Sequence, residues 1–238
     1  SFVGPLRPRL VTLLWALLLL ITGAVLCFVP LFNLLGYESS LVLALVGTLA
    51  GVRQGALVVK RARQQPRTTR VRGADEGGGA LAHIFKLYLR ALFAAEVLLL
   101  PPLLLLLLNG LRVRNCSYVA GLSFFAMMPV LSMVCAVAVG LCAALAVSGR
   151  HHGRGLALGY GLFVLSILAT LWRFVASPAI YAYDPFFGYF PGALYDEEVS
   201  ITSAFFAARA LHLGTVLCVL CVCAALTFGE GEEFGLRL

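Results

Sequence analysis

Six long apolar runs separated by short polar segments constrain this chain more than anything else in it. They cover roughly residues 10–31, 40–59, 89–108, 119–147, 156–177 and 201–228. Each is close to the ~20 residues that a helix needs to cross ~30 Å of hydrocarbon. In that medium the backbone must be hydrogen-bonded within helices or closed barrels. The expected fold is therefore all-α, a single transmembrane domain over residues 1–238 built as a polytopic bundle of six spanning helices. Composition agrees, since 61% of residues are hydrophobic and 12% charged, against about half and a quarter in soluble domains.

Loop charge supplies an orientation. Arg7 and Arg9 precede the first run, Lys60, Arg61, Arg63, Arg67, Arg70 and Arg72 follow the second, and Arg150 and Arg154 follow the fourth, whereas residues 178–200 contain no Lys or Arg. Short basic loops stay cytoplasmic, so both termini are expected in the cytoplasm and 178–200 outside. The first run is too long for a cleaved leader and no small-x-small site follows it, which reads as a retained signal-anchor helix. The formal charge of +7 gathers in the inner linkers, facing anionic membrane lipids. No aromatic and basic platform accompanies it, so nucleic acid is not an expected partner.

Cys27, Cys135, Cys142, Cys218, Cys221 and Cys223 lie inside apolar runs, where thiols behave as small hydrophobes. Cys218 and Cys221 have ligand spacing but no second pair or His beside them, so no metal site and no cofactor are expected. Gly47, Gly51 and Gly55 recur every four residues, a stripe that lets a second helix approach closely; a glycine-lined pore wall is the alternative. Gly155, Gly159 and Gly161 suggest another such face. Pro101 and Pro102 in the third run and Pro129 in the fourth remove helix hydrogen bonds and predict kinks.

Residues 60–79 combine six basic side chains with Asp75, Glu76 and three consecutive glycines, as expected of a flexible cytoplasmic loop. Residues 80–90 then mix His83, Lys86 and Arg90 with apolar positions at a helical period. That pattern fits an amphipathic interfacial segment, or else the snorkelling first turns of the third helix. The loop 178–200 is aromatic, with Tyr183, Phe187, Tyr189 and Tyr195, and also carries Asp184. It is expected on, or dipping into, the outer interface, with rings at head-group depth and carboxylates in water. Its roles are an aromatic belt or a lid over a substrate vestibule.

Ionisable groups within spans are costly and normally face protein or water. Glu96, Arg209 and His212 are such groups, and Arg173 lies near the outer end of its run. Arg209 and His212 share a helix face, and a pair between Glu96 and Arg209 is geometrically possible. His-Glu-x-x-His, Gly-x-Ser-x-Gly and phosphate-loop motifs are absent from the sequence, so catalysis by this chain is not expected.

Six helices with both ends inside, a basic inner linker leading into an amphipathic segment, and an aromatic re-entrant outer segment between helices five and six together resemble the membrane subunits of type-2 ATP-binding-cassette exporters. The resemblance implies a multi-pass permease in a bacterial inner membrane, working as an oligomer with other protein subunits. It also implies a separate cytoplasmic ATPase gripping the segment 80–90. The phrases 30–38 and 184–196 are similar to membrane portions of multi-domain bacterial proteins of unknown role, which implies a membrane anchor or scaffold instead. A lipid-modifying enzyme using Glu96 or His212 is the third and weakest reading.

Overall fold

The computed structural model describes residues 8–64, 80–113, 117–147, 152–176, 182–190 and 201–227. The chain runs α1 (Pro8–Leu26), α2 (Tyr37–Gln64), α3 (Ala80–Glu96), a 3-10 turn (Val97–Leu99), α4 (Leu100–Arg112) and α5 (Tyr118–Phe125). It continues through a π-helical turn (Ala126–Val130), α6 (Leu131–Ala146), α7 (His152–Ala176), β1 (Ala182–Asp184), β2 (Gly188–Phe190) and α8 (Ser203–Thr227). Among the described residues the fold is an all-α bundle apart from one small hairpin.

Among the described residues, five helical stretches are long and apolar enough to cross a membrane: Tyr37–Gln64, Leu81–Arg112, Tyr118–Ala146, Gly153–Ala176 and Ser203–Leu226. Their outer surfaces are apolar, with Phe93, Leu111, Val119, Trp172 and Val175 each more than 70% exposed. Surface of that kind belongs in lipid rather than water. The chain is an integral multi-pass membrane protein. The first run is a shorter apolar helix, resting chiefly on α4.

The helices outrun the apolar segments. α2 continues as helix through Lys60, Arg61 and Arg63 to Gln64, so the basic stretch begins on helix, and residues 65–79 lie outside the described residues. The segment 80–90 is no separate interfacial helix. It forms the first turns of one rod, Leu81–Arg112, whose Ile84, Leu87 and Tyr88 are buried in the bundle. This continuity agrees with the reading of 80–90 as the first turns of the third helix, since the buried stripe of 80–90 runs straight on into Ala91 and Ala95.

Both proline sites interrupt regular α-helix. Pro101 and Pro102 cannot donate to the carbonyls one turn back, and the chain tightens there into the 3-10 turn Val97–Leu99, leaving the prolines in the first turn of α4, where their missing N–H groups cost least. Pro129 sits inside the π turn Ala126–Val130, a wider coil that accommodates the proline ring.

At the centre α2 crosses α6, and the glycine stripe forms the crossing. A methyl built on Gly51 would lie 2.7 Å from the Met133 sulfur and 2.8 Å from the Ala136 Cβ. One on Gly55 would strike the Val137 carbonyl, and one on Gly140 of α6 would strike the Val52 carbonyl. Gly55 and Gly140 are thus reciprocal notches, and the stripe is a packing face rather than a pore wall. Gly155 and Gly159 of α7 also pack closely, against Ala144 and Val52, while Gly161 faces open space.

The ends are pinned by polar contacts. At one end the Asn109 amide donates to the carbonyls of Asn33 (2.7 Å) and Cys27 (3.4 Å), joining α4 to the α1–α2 turn. At the other, Arg63 donates to Val147 O at 3.1 Å and Leu145 O at 3.5 Å. These carbonyls lie in the last turn and at the C-cap of α6, where no helical N–H satisfies them, and a cation suits the negative end of the helix dipole.

Candidate functional site

The loop expected at the surface enters the bundle. β1 and β2 pair antiparallel with Asp184 opposite Gly188, closing the three-residue turn Pro185, Phe186 and Phe187. The sharp return needs a positive φ of 102° at Gly188, which glycine adopts without penalty. The Asp184 carboxylate stiffens the turn by accepting the Phe186 N–H at 2.7 Å.

Two hydrogen bonds from α2 measure how far the hairpin descends. The Tyr37 hydroxyl, at the start of α2, donates to Tyr189 O at 2.9 Å, and the Thr48 hydroxyl donates to Phe186 O at 2.9 Å. Eleven residues of helix separate these donors, an axial distance of ~16 Å. The turn therefore lies well inside the bundle, beside the middle of α2 rather than at its end. The segment folds back into the bundle, and its irregular main chain is tolerable there because protein encloses it.

Buried polar groups complete the enclosure. Asp184 is 0% exposed and Arg209 1%. The Asp184 carboxylate accepts the hydroxyls of Ser166 and Thr170 on α7, both at 2.8 Å. Arg209 on α8 donates through Nη1 to the carbonyls of Asp184 (3.2 Å) and Pro185 (3.0 Å), and through Nη2 to Ser132 Oγ (3.1 Å) on α6. Opposite charges thus lie in one buried cluster, the guanidinium grasping the main chain of the residue whose carboxylate α7 holds. Removing two such charges from water is costly, and the hydrogen bonds offset the cost.

An aromatic wall packs around the same loop. Tyr189 meets Phe205 at 4.6 Å between ring centroids, Tyr37 at 5.3 Å, and Tyr183 at 6.3 Å. Tyr183 stacks on Phe205 with a 14° interplanar angle, and buried Phe187 joins the cluster with Phe124 and Met128.

The structure sorts the sequence-derived candidates. Asp184, Arg209, Tyr183, Phe187 and Tyr189 converge on the hairpin, and Tyr195 lies outside the described residues. Asp184 is a correction, because its carboxylate sits inside the bundle rather than in water. Arg209 binds hairpin carbonyls and Ser132, so the pair with Glu96 does not form; Glu96 Oε1 is buried without a hydrogen-bond partner. His212, one turn along α8 from Arg209, leaves Nδ1 unpartnered and borders a cavity of about 150 Å³ lined also by Cys135, Pro185, Phe186 and Thr215. Lys86 and Arg90 are exposed and His83 half-buried on α3, and none of the three joins the hairpin cluster. Cys218 and Cys221 are exposed while Cys223 is buried, and among the described residues no three His, Cys, Asp or Glu side chains converge on a metal-sized site. Thr48, Ser132, Ser166 and Thr170 do not stand out in the sequence. Lone hydroxyls in apolar runs are common, and what distinguishes these four is that Thr48, Ser166 and Thr170 meet on one loop while Ser132 holds the arginine that grips it.

No protein-family model, curated protein or solved structure matches the chain.

Proposed function

We propose that the chain is the membrane subunit of a transport complex, an export permease driven by a separate ATPase, with six spanning helices and both termini cytoplasmic. The observation that carries this reading is the hairpin between α7 and α8 that folds back into the bundle. It fills one end of the bundle as far as the middle of α2, where a transport path must be closed between cycles, and it hangs on polar contacts that can be exchanged. A second feature supports the reading: at ~1.5 Å per residue the rod Leu81–Arg112 is about 48 Å long, well beyond the hydrocarbon thickness even with ordinary tilt. Its overhang at the basic end presents Lys86 beside exposed Leu81 and Phe85, a mixed surface for a cytoplasmic partner.

The orientation is tested by labelling in a cysteine-free background. A thiol replacing Glu197 should react with a membrane-impermeant reagent added outside, and one replacing Thr68 should not; the opposite pattern overturns the assignment. The partner is tested by purifying the complex in mild detergent and measuring ATP turnover. Lys86→Glu should reduce partner retention and turnover several-fold more than Arg70→Glu. A complex that stays assembled and hydrolyses no ATP would instead establish the anchor or scaffold reading.

A further inference from the structure

A second site lies at the basic end, away from the hairpin, where α2 and α3 part. Gln54, Leu57, Val58, Arg61 and Ala62 of α2 face Leu87, Arg90, Ala91 and Ala94 of α3 across a cleft of about 370 Å³. Its depth in the membrane follows from the helices. Counting ~20 residues of hydrocarbon inward from Tyr37 ends near Leu57, and from Arg112 near Leu92. Arg61 and Arg90 therefore stand at head-group level on the two lips, both exposed. Gln54 is two turns deeper than Arg61 on the same wall.

Gln54 is the anomaly. It is only 4% exposed, and its amide nitrogen has no hydrogen-bond partner. An orphaned donor in a membrane interior costs roughly 1–3 kcal/mol, a penalty that an acceptor in the cleft would remove. The remaining walls are aliphatic.

We propose that this cleft binds the phosphate-bearing head group of an anionic membrane lipid, Arg61 and Arg90 clamping the phosphate and Gln54 donating to an oxygen of the glycerol or ester region. Two arginines on separate helices match a phosphate better than lysines would, because the planar guanidinium presents paired donors. Leu57, Val58, Ala91 and Ala94 fit the start of an acyl chain, which a free phosphate would leave in contact with nothing. Basic pockets between helices on the cytoplasmic side bind anionic head groups in this way. The bound lipid would join α2 to the overhanging turns of α3 and so hold the surface that carries Lys86.

The test uses the full chain purified in detergent and titrated with phosphatidylglycerol or phosphatidylcholine, with retained lipid read by native mass spectrometry and stability by thermal unfolding. Phosphatidylglycerol should be retained and stabilising, phosphatidylcholine not. Arg61→Gln and Arg90→Gln should each weaken retention about fivefold, while Arg154→Gln, an exposed arginine of α7, leaves it unchanged. Gln54→Leu should weaken retention while leaving lipid-free stability equal or higher, an outcome that a purely structural glutamine would not produce. Equal retention by Arg61→Gln, Arg90→Gln and wild type would overturn the site. Stabilisation by millimolar inorganic phosphate that matches the lipid's would overturn the lipid as its source.

Discussion

Gly55→Leu and Gly140→Leu should each abolish recovery of folded protein. At either position the new side chain meets a main-chain carbonyl of the facing helix, that of Val137 or of Val52. Neither obstacle can rotate away as a side chain could. Overpacking that side chains can absorb costs about 1–3 kcal/mol. Here relief requires α2 and α6 to separate along the central contact of the bundle, so the cost should pass ~3 kcal/mol and consume much of a typical stability of ~5–15 kcal/mol. Gly51→Leu should be milder, because the atoms it meets are the Met133 sulfur, on a long side chain that can swing aside, and the Ala136 methyl, rather than a main-chain carbonyl. Gly161→Leu should behave as wild type, since a methyl there would have nothing within 4 Å. Monodispersity and thermal unfolding in detergent give the ranking. A wild-type midpoint for Gly55→Leu would mean the two helices are not in contact there.

The second large effect should follow Arg209→Met, which keeps length and removes the donors. The carbonyls of Asp184 and Pro185 and the Ser132 hydroxyl would lose their shared partner, at roughly 1–3 kcal/mol for each buried group left unsatisfied. Asp184 would also lose the nearest compensating charge. The hairpin should then leave the bundle while the helices remain, since the central crossing of α2 and α6 is untouched. A thiol replacing Ala182, 8% exposed, reports this directly in a cysteine-free background. Its reaction with a water-soluble reagent should accelerate by at least about tenfold, the equivalent of ~1.4 kcal/mol of docking energy. Arg209→Lys should give an intermediate rate, because one ammonium cannot span two carbonyls and a hydroxyl as a guanidinium does. Unchanged labelling in Arg209→Met would mean that the ring cluster and the hydrogen bonds from α2 and α7 hold the loop without the guanidinium.

Hydropathy locates the helices well and their ends poorly. The run at 40–59 is a helix over Tyr37–Gln64 and that at 89–108 a rod over Leu81–Arg112. A helix is ended by its hydrogen bonds and caps, whereas a run of apolar residues reports only the solvent. Prolines are legible as disturbances, at Pro101–Pro102 and Pro129, but the coil each produces is not. The notch formed by Gly47, Gly51 and Gly55 is readable because its period is helical. Its complement is not, since Gly140 stands alone in α6 and becomes meaningful only beside Val52. The hairpin is least legible. An aromatic, acidic loop reads as a surface feature, and what draws it inward is spread one hydroxyl at a time over α2, α6 and α7, with the guanidinium of α8.

That distribution fixes an order of biogenesis. Thr48, Ser132, Ser166 and Thr170 all precede the hairpin in the chain, so their helices are available when it is synthesised. Arg209 follows Asp184 by 25 residues. Until α8 has entered the membrane, the Asp184 carboxylate lacks this cation and two carbonyls at the turn lack their donor. In the proposed orientation the loop would first cross as a hydrated segment, then fold back when α8 delivers its guanidinium. Closure of that end of the bundle is a late act of assembly, and a nascent chain stopped before Arg209 would remain open there.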